Sequence, residues 1–205
     1  MKILIATGNP HKLRELTAIL PDKLRAGTPL QYVSLADFPQ LHLPPETGKT
    51  LEENAALKAC YAAKQTGLIT VSDDTGLEVE ALNGAPGVHT ARYAGEDVDA
   101  DENNRKLLHA LEGKLLPQRK ARFRTVACLV TPQGEVRTFE GVLDGYIGFG
   151  YRGTNGFGYD PLFLIAGTTK ALAELTEAQK NKISHRGQAF KKLAVQLSAT
   201  APNKD

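Results

Sequence analysis

The hydrophobic pattern of the chain alternates between short apolar runs and longer segments in which apolar residues recur every three or four positions. Short runs of this kind are typical of buried strands, and the longer periodic segments are typical of amphipathic helices. The short runs cover residues 1–6, 30–35, 68–71, 77–82, 121–131, 135–147 and 162–165. The periodic segments cover residues 10–20, 51–65, 99–112, 176–182 and 185–197. Interleaved strands and helices predict an α/β protein with a mixed sheet.

Capping residues mark the ends of the predicted helices. Asn9 and Pro10 suit the N-cap and the first position of the first helix. Thr50 and Glu53 form a capping-box pattern at the start of the second helix, and Gly67 stands just beyond its end. Because a helix end leaves backbone groups without partners, residues of these types predict where the helices begin and end.

Two adjacent carboxylates, Asp73 and Asp74, follow the apolar run 68–71 and precede Thr75 and Gly76, a pair typical of a turn. Carboxylates at the point where a buried strand meets a turn can bind a hard cation or activate a water molecule. The alternative interpretation is an Asx turn, in which an aspartate accepts a hydrogen bond from the backbone of its own turn. These four residues alone favour neither interpretation.

Cationic residues stand in the first turn of two predicted helices: Lys12 in the first, and His185 with Arg186 in the last. A cation at this end opposes the helix dipole, so such residues either serve an anionic partner or are simply solvated. For Lys12 we expect an external anion, because the N–H groups at the start of its helix also suit one. Asn54 and Lys58 lie one turn apart on the second helix, and their spacing alone favours a solvated face.

Residues 148–158 contain five of the nineteen glycines and three aromatic residues. No GxGxxG motif opens a helix after a strand in this segment, which excludes a dinucleotide-binding fingerprint. With Phe157 and Asp160 near its end, the loop can present an aromatic face for stacking with a carboxylate beside it. A flexible loop whose aromatic residues anchor it to the core is the alternative interpretation.

Composition and charge narrow the class of protein. With 205 residues, 41% hydrophobic residues and a net charge of +2, the sequence is that of an ordinary globular protein, without the bulk charge expected for nucleic-acid or membrane binding. Cys60 and Cys128 lack CxxC spacing, which predicts free core thiols in a reducing compartment. The apolar run 3–6 is too short for a signal peptide. We therefore expect a cytoplasmic protein that forms a single domain over residues 1–205, with no clear linker.

Six sequence blocks follow one another along nearly the whole chain. They are ATGNPHKLRE from Ala6, ETG from Glu46, EENAALKA from Glu52, SDDTGLEVEALNGAPGVHTARYAG from Ser72, GFGYDPLF from Gly156 and KNKISHRGQA from Lys180. In this order the blocks resemble the inosine triphosphate pyrophosphatase family, the RdgB-like purine nucleotide pyrophosphatases. Tyr151 departs from the family pattern, which has a proline before Arg152, and the departure affects no expected site residue.

The resemblance implies an elongated α/β fold of two lobes around a long mixed β-sheet with flanking helices, with the active site in the cleft between the lobes. It implies a homodimer and an enzyme that hydrolyses nucleoside triphosphates between the α- and β-phosphates, giving the monophosphate and pyrophosphate. The implied substrates are the deaminated purine nucleotides ITP, dITP and XTP. The implied cofactor is Mg²⁺, and neither nucleic acid nor membrane is an expected partner.

The resemblance also assigns roles to individual residues. The residues expected to hold the triphosphate are Thr7, Gly8, Asn9, Lys12 and Lys58, and Thr75 is expected to touch the substrate. Glu46 and Asp74 are expected to bind Mg²⁺. Asp74, supported by Asp73, is also the expected general base, although a carboxylate that holds a metal is less basic. The residues expected around the purine are Phe157, which stacks on it, and Gly158, Tyr159, Asp160, Lys180, His185 and Arg186. Lys182 is a nearby competitor for the lysine of the family pattern, and Lys180 is favoured because of its distance from His185 in the sequence.

Base selectivity has a plausible chemical origin in this set. Donors from His185 and Arg186 can pair with the 6-keto oxygen of a deaminated purine, whereas the 6-amino group of adenine leaves them without a partner. Residues 74–76 match the D-T-G of aspartic proteases, but those enzymes need two such carboxylates in an all-β chain. Two further alternatives are a Maf-like pyrophosphatase with another base preference and a nucleotide-binding protein without turnover.

Overall fold

A computed structural model describes residues 1–24, 27–96 and 98–197. The tail at 199–205, predicted to be frayed, lies outside the described residues. Within the described ranges the chain forms seven strands, which are β1 (Lys2–Ile5), β2 (Gln31–Ser34), β3 (Ile69–Val79), β4 (Pro86–Gly87), β5 (Lys120–Val130), β6 (Val136–Ile147) and β7 (Phe163–Ile165). The α-helices of these ranges are α1 (Pro10–Ile19), α2 (Leu51–Thr66), α3 (Ala100–Ala110), α4 (Glu177–Ile183) and α5 (His185–Leu197).

The strands form one mixed sheet in the order β2-β1-β3-β5-β6-β7, and β4 pairs with β3. β1 runs parallel to both β2 and β3, with Leu4 opposite Val33 and Thr70 in the two pairings. β7 pairs antiparallel with β6, and β4 pairs antiparallel with β3. β5 and β6, which correspond to the predicted strands 121–131 and 135–147, are neighbours in the sheet and are joined by residues 131–135. The predicted α/β class with a mixed sheet is confirmed.

Local capping explains why the helices begin where the sequence predicts. The side chain of Asn9 accepts hydrogen bonds from the first backbone N–H groups of α1. Thr50 and Glu53 form a capping box at the start of α2, and Gly67 ends this helix with a left-handed φ of 67°. α3 and α4 begin with capping boxes of the same kind. These boundaries therefore follow from short-range sequence signals.

The predicted break after residue 71 is absent, because β3 continues without interruption from Ile69 to Val79. Residues 73–76 lie inside this strand, so both the turn and the Asx-turn alternative are wrong. A buried strand can carry two adjacent carboxylates only if donors reach them. Helices α1, α2 and α5 supply those donors.

The chain divides into two compact units, and the first comprises residues 1–74, 125–141 and the segment that starts at Arg186. Its largest core cluster is formed by one face each of α1 and α5 and by apolar residues of β1, β3 and β5. Phe190 and Leu193 of α5 and Leu16 of α1 are among its fully buried members. This core fixes the starts of α1 and α5, the two helix ends at which the sequence places cations.

The second unit comprises residues 75–124 and 142–185. Its core cluster includes Leu77 and Val79 from β3, Leu107 from α3 and Phe163 from β7. The side chain of Tyr159, from the loop before β7, belongs to the same cluster. This core supports the segment 156–163, which carries the predicted base-binding residues.

The cysteines agree with the sequence prediction only in part. Both are free, and Cys128 is buried in β5, where burial raises the pKa of its thiol to about 12. Cys60 is exposed, so its prediction as a core thiol is wrong. None of the helices in the described part of the chain combines the length and the apolar character needed to cross a membrane.

Candidate active site

Asp73 of β3 is the centre of a buried ion cluster in unit 1. Its carboxylate oxygen Oδ2 lies 3.1 Å from the ammonium nitrogen of Lys12 and 3.3 Å from Nε of Arg186. Arg186 also donates from Nη1 to Glu15 of α1. Asp73 and Arg186 are each only 1% exposed, so water contributes little to their solvation. The two cations and two carboxylates therefore compensate one another, as buried charges must.

This cluster determines the protonation of its members. Burial alone would raise the pKa of Asp73, but the charges of Lys12 and Arg186 outweigh it and hold the pKa well below the ordinary value of 3.8. Burial likewise opposes the charge of Arg186, yet Asp73 and Glu15 keep its pKa above the usual value. Burial lowers the pKa of Lys12, and Asp73 opposes that shift. Asp73 is therefore ionised at neutral pH and acts as a fixed negative charge.

The start of α1 presents the groups that the sequence predicts for anion binding. Asn9 accepts hydrogen bonds at Oδ1 from the backbone N–H groups of His11, at 2.9 Å, and Lys12, at 3.2 Å. Thr7 accepts one from the N–H of Asn9 at 3.2 Å. A side chain at Gly8 would meet no atom within 4 Å, so the backbone is open there. This helix end combines a favourable dipole with the Lys12 cation.

Asp74 faces a different set of partners, carried by α2 and the segment before it. Asn54 donates from Nδ2 to Oδ2 of Asp74 at 3.0 Å and accepts at Oδ1 from the N–H of Gly48 at 2.7 Å. Lys58, one turn further along α2, donates to the carboxylate of Glu46. Asn54 is 0% exposed and Lys58 is 6% exposed. The interpretation of these two residues as a solvated helix face is therefore wrong.

The environments of Asp73 and Asp74 have opposite effects on protonation. Burial raises the pKa of Asp74, the Lys58 charge opposes the shift and the Glu46 charge adds to it. Two adjacent carboxylates thus have pKa values displaced in opposite directions, an arrangement found where one group is structural and the other exchanges protons. The fixed charge is Asp73 and the group suited to proton transfer is Asp74.

Glu46 and Asp74 fit a divalent cation in charge and donor type. The charge of Glu46 helps to raise the pKa of Asp74, and a bound cation would relieve that repulsion. Within residues 1–24, 27–96 and 98–197, no group of three or more acidic, histidine or cysteine side chains is arranged to hold a metal. Mg²⁺ does not require such a group, because it usually takes one or two carboxylates and completes its shell with water and substrate phosphate.

A second constellation lies in unit 2, around Asp160. Its Oδ2 atom accepts from the backbone N–H of Phe157 at 2.8 Å and from the ammonium of Lys180 at 2.5 Å. The Lys180 ammonium also lies 4.7 Å from the centroid of the Phe157 ring. Gly156 has a φ of 75°, and a Cβ at that position would collide with the Asp160 carboxylate. Asp160 therefore fixes both the aromatic ring and the cation beside it.

Three other predicted site residues of unit 2 contact side chains or backbone groups of the surrounding fold. The ring of His185 stacks on Phe123, with the centroids 4.6 Å apart. The carbonyl of Gly158 accepts from Asn104 at 3.0 Å. Tyr159 is a core residue whose hydroxyl donates to the backbone oxygen of Thr90 at 2.9 Å. We assign the Tyr159 side chain to packing.

The structure thus gathers the predicted site residues into two groups. The unit 1 group contains Thr7, Gly8, Asn9, Lys12, Glu46, Lys58, Asp73, Asp74 and Arg186. The unit 2 group contains Thr75, Phe157, Gly158, Tyr159, Asp160, Lys180 and His185. Arg186 was expected beside the purine with His185, but its guanidinium contacts Asp73 and Glu15. Lys180 is buried and Lys182 is exposed, which supports the choice of Lys180.

Three residues that contact members of these groups were missed as site residues. Glu15 lies three residues after Lys12 on α1, so a helical-face argument would have placed the two together. Asn54 lies four residues before Lys58 on the same face of α2, and this spacing was the available signal. Phe123 lies in β5, far from His185 in sequence, and no local pattern links the two.

Comparison with known proteins finds relatives that match nearly the whole chain. The Ham1 family profile matches residues 3–196. A dITP/XTP pyrophosphatase of Elusimicrobium minutum is 62% identical over 197 residues, which are 96% of this chain and all of that protein. A dITP/XTP pyrophosphatase of Exiguobacterium sp. is 47% identical over 199 residues, covering 96% of this chain and 97% of that protein.

Solved structures extend the similarity to the fold. A HAM1 protein from Coxiella burnetii is 40% identical with a TM-score of 0.86, covering 98% of this chain and all of that one. A nucleoside-triphosphatase / dITP/XTP pyrophosphatase from Mycobacterium abscessus is 43% identical with a TM-score of 0.75, covering 94% of this chain and 98% of that one. The profile match and the full-length identity confirm the family predicted from the six blocks: this chain belongs to the Ham1 family.

Proposed function

We propose that the protein hydrolyses ITP, dITP and XTP to the nucleoside monophosphate and pyrophosphate, and so removes deaminated purines from the nucleotide pool. The observation that carries this proposal is the pair Asp73 and Asp74, whose pKa values are shifted in opposite directions beside Lys12 and Lys58. A fixed anion, a proton acceptor and two cations are the parts that hydrolysis of a polyphosphate needs. The names of the relatives from Elusimicrobium and Exiguobacterium support the choice of substrate.

The start of α1 and the Lys58 side chain would hold the triphosphate. The N–H of Gly8 and the hydroxyl of Thr7 can donate to phosphate oxygens, and Lys12 adds a positive charge. Lys12 is held by Asp73 rather than exposed as a mobile side chain. A pre-positioned cation loses little conformational freedom when the phosphate binds, so more of its attraction is available for binding.

Asp74 is the proposed catalytic residue. Its carboxylate accepts a proton from the attacking water as the anhydride bond between the α- and β-phosphates breaks and pyrophosphate leaves. Burial raises the pKa of Asp74, which makes it a better proton acceptor than an exposed aspartate. Glu46 and Asp74 would hold Mg²⁺, which supplies neutralisation of phosphate charge and activation of water when bound. Glu46 is kept in place by Lys58.

The group around Asp160 would recognise the purine. Phe157 is the proposed stacking surface, and Lys180 and His185 are the proposed donors to the 6-keto oxygen. An adenine, with an amino group at this position, leaves each donor without a partner at a cost of about 1–3 kcal/mol. Arg186 is bonded to Asp73 and Glu15, so we propose that it acts through Asp73 and not on the base.

The biological setting is part of the same proposal. Free cysteines and a nucleotide substrate suit the cytoplasm. A net charge of +2 suits a small-molecule substrate better than nucleic acid. We propose a homodimer, which agrees with the large exposed fraction of the apolar side chain of Leu115, at 70%.

Product analysis tests the function directly. The purified protein is incubated with dITP, XTP, GTP, ATP and dTTP, with and without Mg²⁺, and pyrophosphate is resolved from orthophosphate. We expect metal-dependent pyrophosphate from dITP and XTP, with little from GTP and ATP. Orthophosphate as the product, or preference for dTTP, would refute the proposal and favour another nucleotide hydrolase such as a Maf-like pyrophosphatase. Binding of all five nucleotides without turnover would favour the nucleotide-binding alternative.

A further inference from the structure

Asn54 connects two parts of unit 1 that are distant in sequence. It is fully buried in the first half of α2, and both the oxygen and the nitrogen of its side-chain amide form hydrogen bonds. Its oxygen accepts from the N–H of Gly48 at 2.7 Å, and its nitrogen donates to Asp74 at 3.0 Å. A single amide group therefore links the segment that carries Glu46 to the strand that carries Asp74.

The surrounding segment explains why this link matters. The backbone N–H groups of Lys49 and Thr50 donate to the carboxylate of Glu53, which fixes the segment to the start of α2. Lys58 holds Glu46 from the next turn of the helix. Asn54 accepts from the Gly48 N–H and donates to Asp74, so its side chain connects the segment to the second carboxylate.

We propose that Asn54 is a positioning residue that holds Glu46 and Asp74 together as a pair able to share one divalent cation. The inference rests on the proposed function, since it assigns a role to Asn54 in that reaction. Two like-charged carboxylates repel each other, so they stay close in the absence of a cation only if neutral or cationic groups hold each of them. Asn54 and Lys58 hold them from one face of one helix.

Gly48 gives an independent way to test the same contact. A Cβ at this position would lie 2.6 Å from Oδ1 of Asn54 and 2.7 Å from Cβ of Glu53. Its φ is not among the left-handed values, so an alanine would be strained by this contact and not by its own backbone. Gly48→Ala therefore pushes the segment away from Asn54 without removing the amide.

The experiment compares Asn54→Ala, Asn54→Leu and Gly48→Ala with the wild type. Leucine keeps most of the asparagine volume but has no polar atom, which guards against a variant that fails through a cavity. Asn103→Ala is the matched control, because Asn103 is also buried and uses its amide to join α3 to Ala91 and Ala94. Each protein is checked for folding by circular dichroism and thermal unfolding.

Three readouts are measured on each folded protein. They are hydrogen exchange of the backbone amide at position 48 by NMR, Mn²⁺ affinity of the nucleotide-free protein by electron paramagnetic resonance, and kcat, KM and the half-activating Mg²⁺ concentration with dITP. For the three site variants we expect exchange at position 48 to accelerate about tenfold, with Mn²⁺ affinity falling and half-activating Mg²⁺ rising by about the same factor. At saturating Mg²⁺ the KM for dITP stays within about twofold of the wild type, because the phosphate and base contacts are retained.

A purely structural role predicts a different pattern. Asn54 variants would then unfold at a lower temperature but show wild-type Mn²⁺ affinity and Mg²⁺ dependence below it, as we expect for Asn103→Ala, and this result would overturn the proposal. Wild-type exchange at Gly48 in Asn54→Ala would overturn it as well. If the wild type turned over no nucleotide, the proposed function would fail, whereas the exchange and Mn²⁺ measurements would still decide whether Asn54 holds the carboxylate pair.

Discussion

The ammonium of Lys12 lies 3.1 Å from the buried carboxylate of Asp73, although the two residues are sixty-one positions apart and lie on different elements. The first turn of a helix is an unfavourable place for a cation, and the sequence predicts an external anion as compensation. The structure supplies an internal anion. Asp73 therefore sets the position of the Lys12 ammonium, the cation that we propose for the substrate phosphate.

We expect Asp73→Asn to destabilise the fold strongly. The substitution keeps the shape of the side chain but leaves Lys12 and Arg186 without the anion that compensates them. Breaking a buried ion pair in this way costs about 3–5 kcal/mol. Urea unfolding at pH 7 measures the change in the free energy of unfolding.

An exposed ion pair supplies the control for this measurement. Glu96 pairs with Arg92 at 3.5 Å, and its side chain is 81% exposed. Because solvent screens such a pair, Glu96→Gln changes the free energy of unfolding by less than about 1 kcal/mol. Equal effects of the two substitutions would show that Asp73 is not the centre of a buried cluster.

The same cluster predicts how stability depends on pH. The folded-state pKa of Asp73 lies below the ordinary value of 3.8, so the folded protein binds this proton less readily than the unfolded chain does. The contribution of Asp73 to stability is therefore complete above about pH 4 and is lost as the pH falls below the unfolded value towards the folded one. Urea unfolding of the wild type and Asp73→Asn between pH 7 and pH 3 measures this contribution to the free energy of unfolding.

Asp73→Asn should remove this part of the acid dependence. We expect the difference in the free energy of unfolding between the two proteins to be constant from pH 7 to about pH 5 and to shrink below pH 4. The control Glu96→Gln should retain the wild-type curve. A difference that grew on acidification would contradict the direction of the Asp73 pKa shift.

Local signals account for what the sequence predicted well. The ends of α1 and α2 follow from Asn9, Thr50 and Gly67, whose effects operate within one turn of the chain. The alternation of strands and helices, which sets the fold class, also follows from patterns within each short segment. Neither feature depends on which elements meet in space.

Long-range partners account for what the sequence could not show. The segment 73–76 has the composition of a turn, yet it continues β3 because cations and an amide from three helices satisfy its carboxylates. His185 and Arg186 are consecutive, yet one stacks on Phe123 and the other pairs with Asp73. Which way each points depends on the packing of α5, and this is a property of the folded chain alone.

Asp74→Asn should abolish turnover without a loss of stability. A proton acceptor contributes roughly 10²–10⁴-fold to a rate, and an amide cannot replace the carboxylate in the role that we propose for Asp74. Because its folded-state pKa is raised, the fold disfavours the ionised form at pH 7, and a neutral side chain removes this cost. We therefore expect a free energy of unfolding at pH 7 at or above that of the wild type.

Pyrophosphate release from dITP and urea unfolding together check this expectation. Near-normal turnover in Asp74→Asn would remove Asp74 from the mechanism. A strongly destabilised variant would contradict the raised pKa, because it would show that the fold favours the charged carboxylate. Asp73→Asn is the informative comparison. The same chemical change at that neighbouring residue is expected to lower the free energy of unfolding, because the Asp73 pKa is shifted in the opposite direction.

Phe157→Ala should weaken recognition of the purine. Stacking of a base on an aromatic ring contributes about 1–3 kcal/mol, which corresponds to a loss of about 5–140-fold in kcat/KM for dITP. Phe157→Tyr keeps the ring above Lys180 and should recover most of this loss. Phe149→Ala is the matched control, because that ring is exposed and lies 4.5 Å from the Arg119 guanidinium, outside both groups of site residues. Two results would contradict this role: an equal loss of kcat/KM in Phe149→Ala and Phe157→Ala, or no loss in Phe157→Ala. Phe157 would then not be the stacking surface, and base recognition would have to rest on Lys180 and His185 alone.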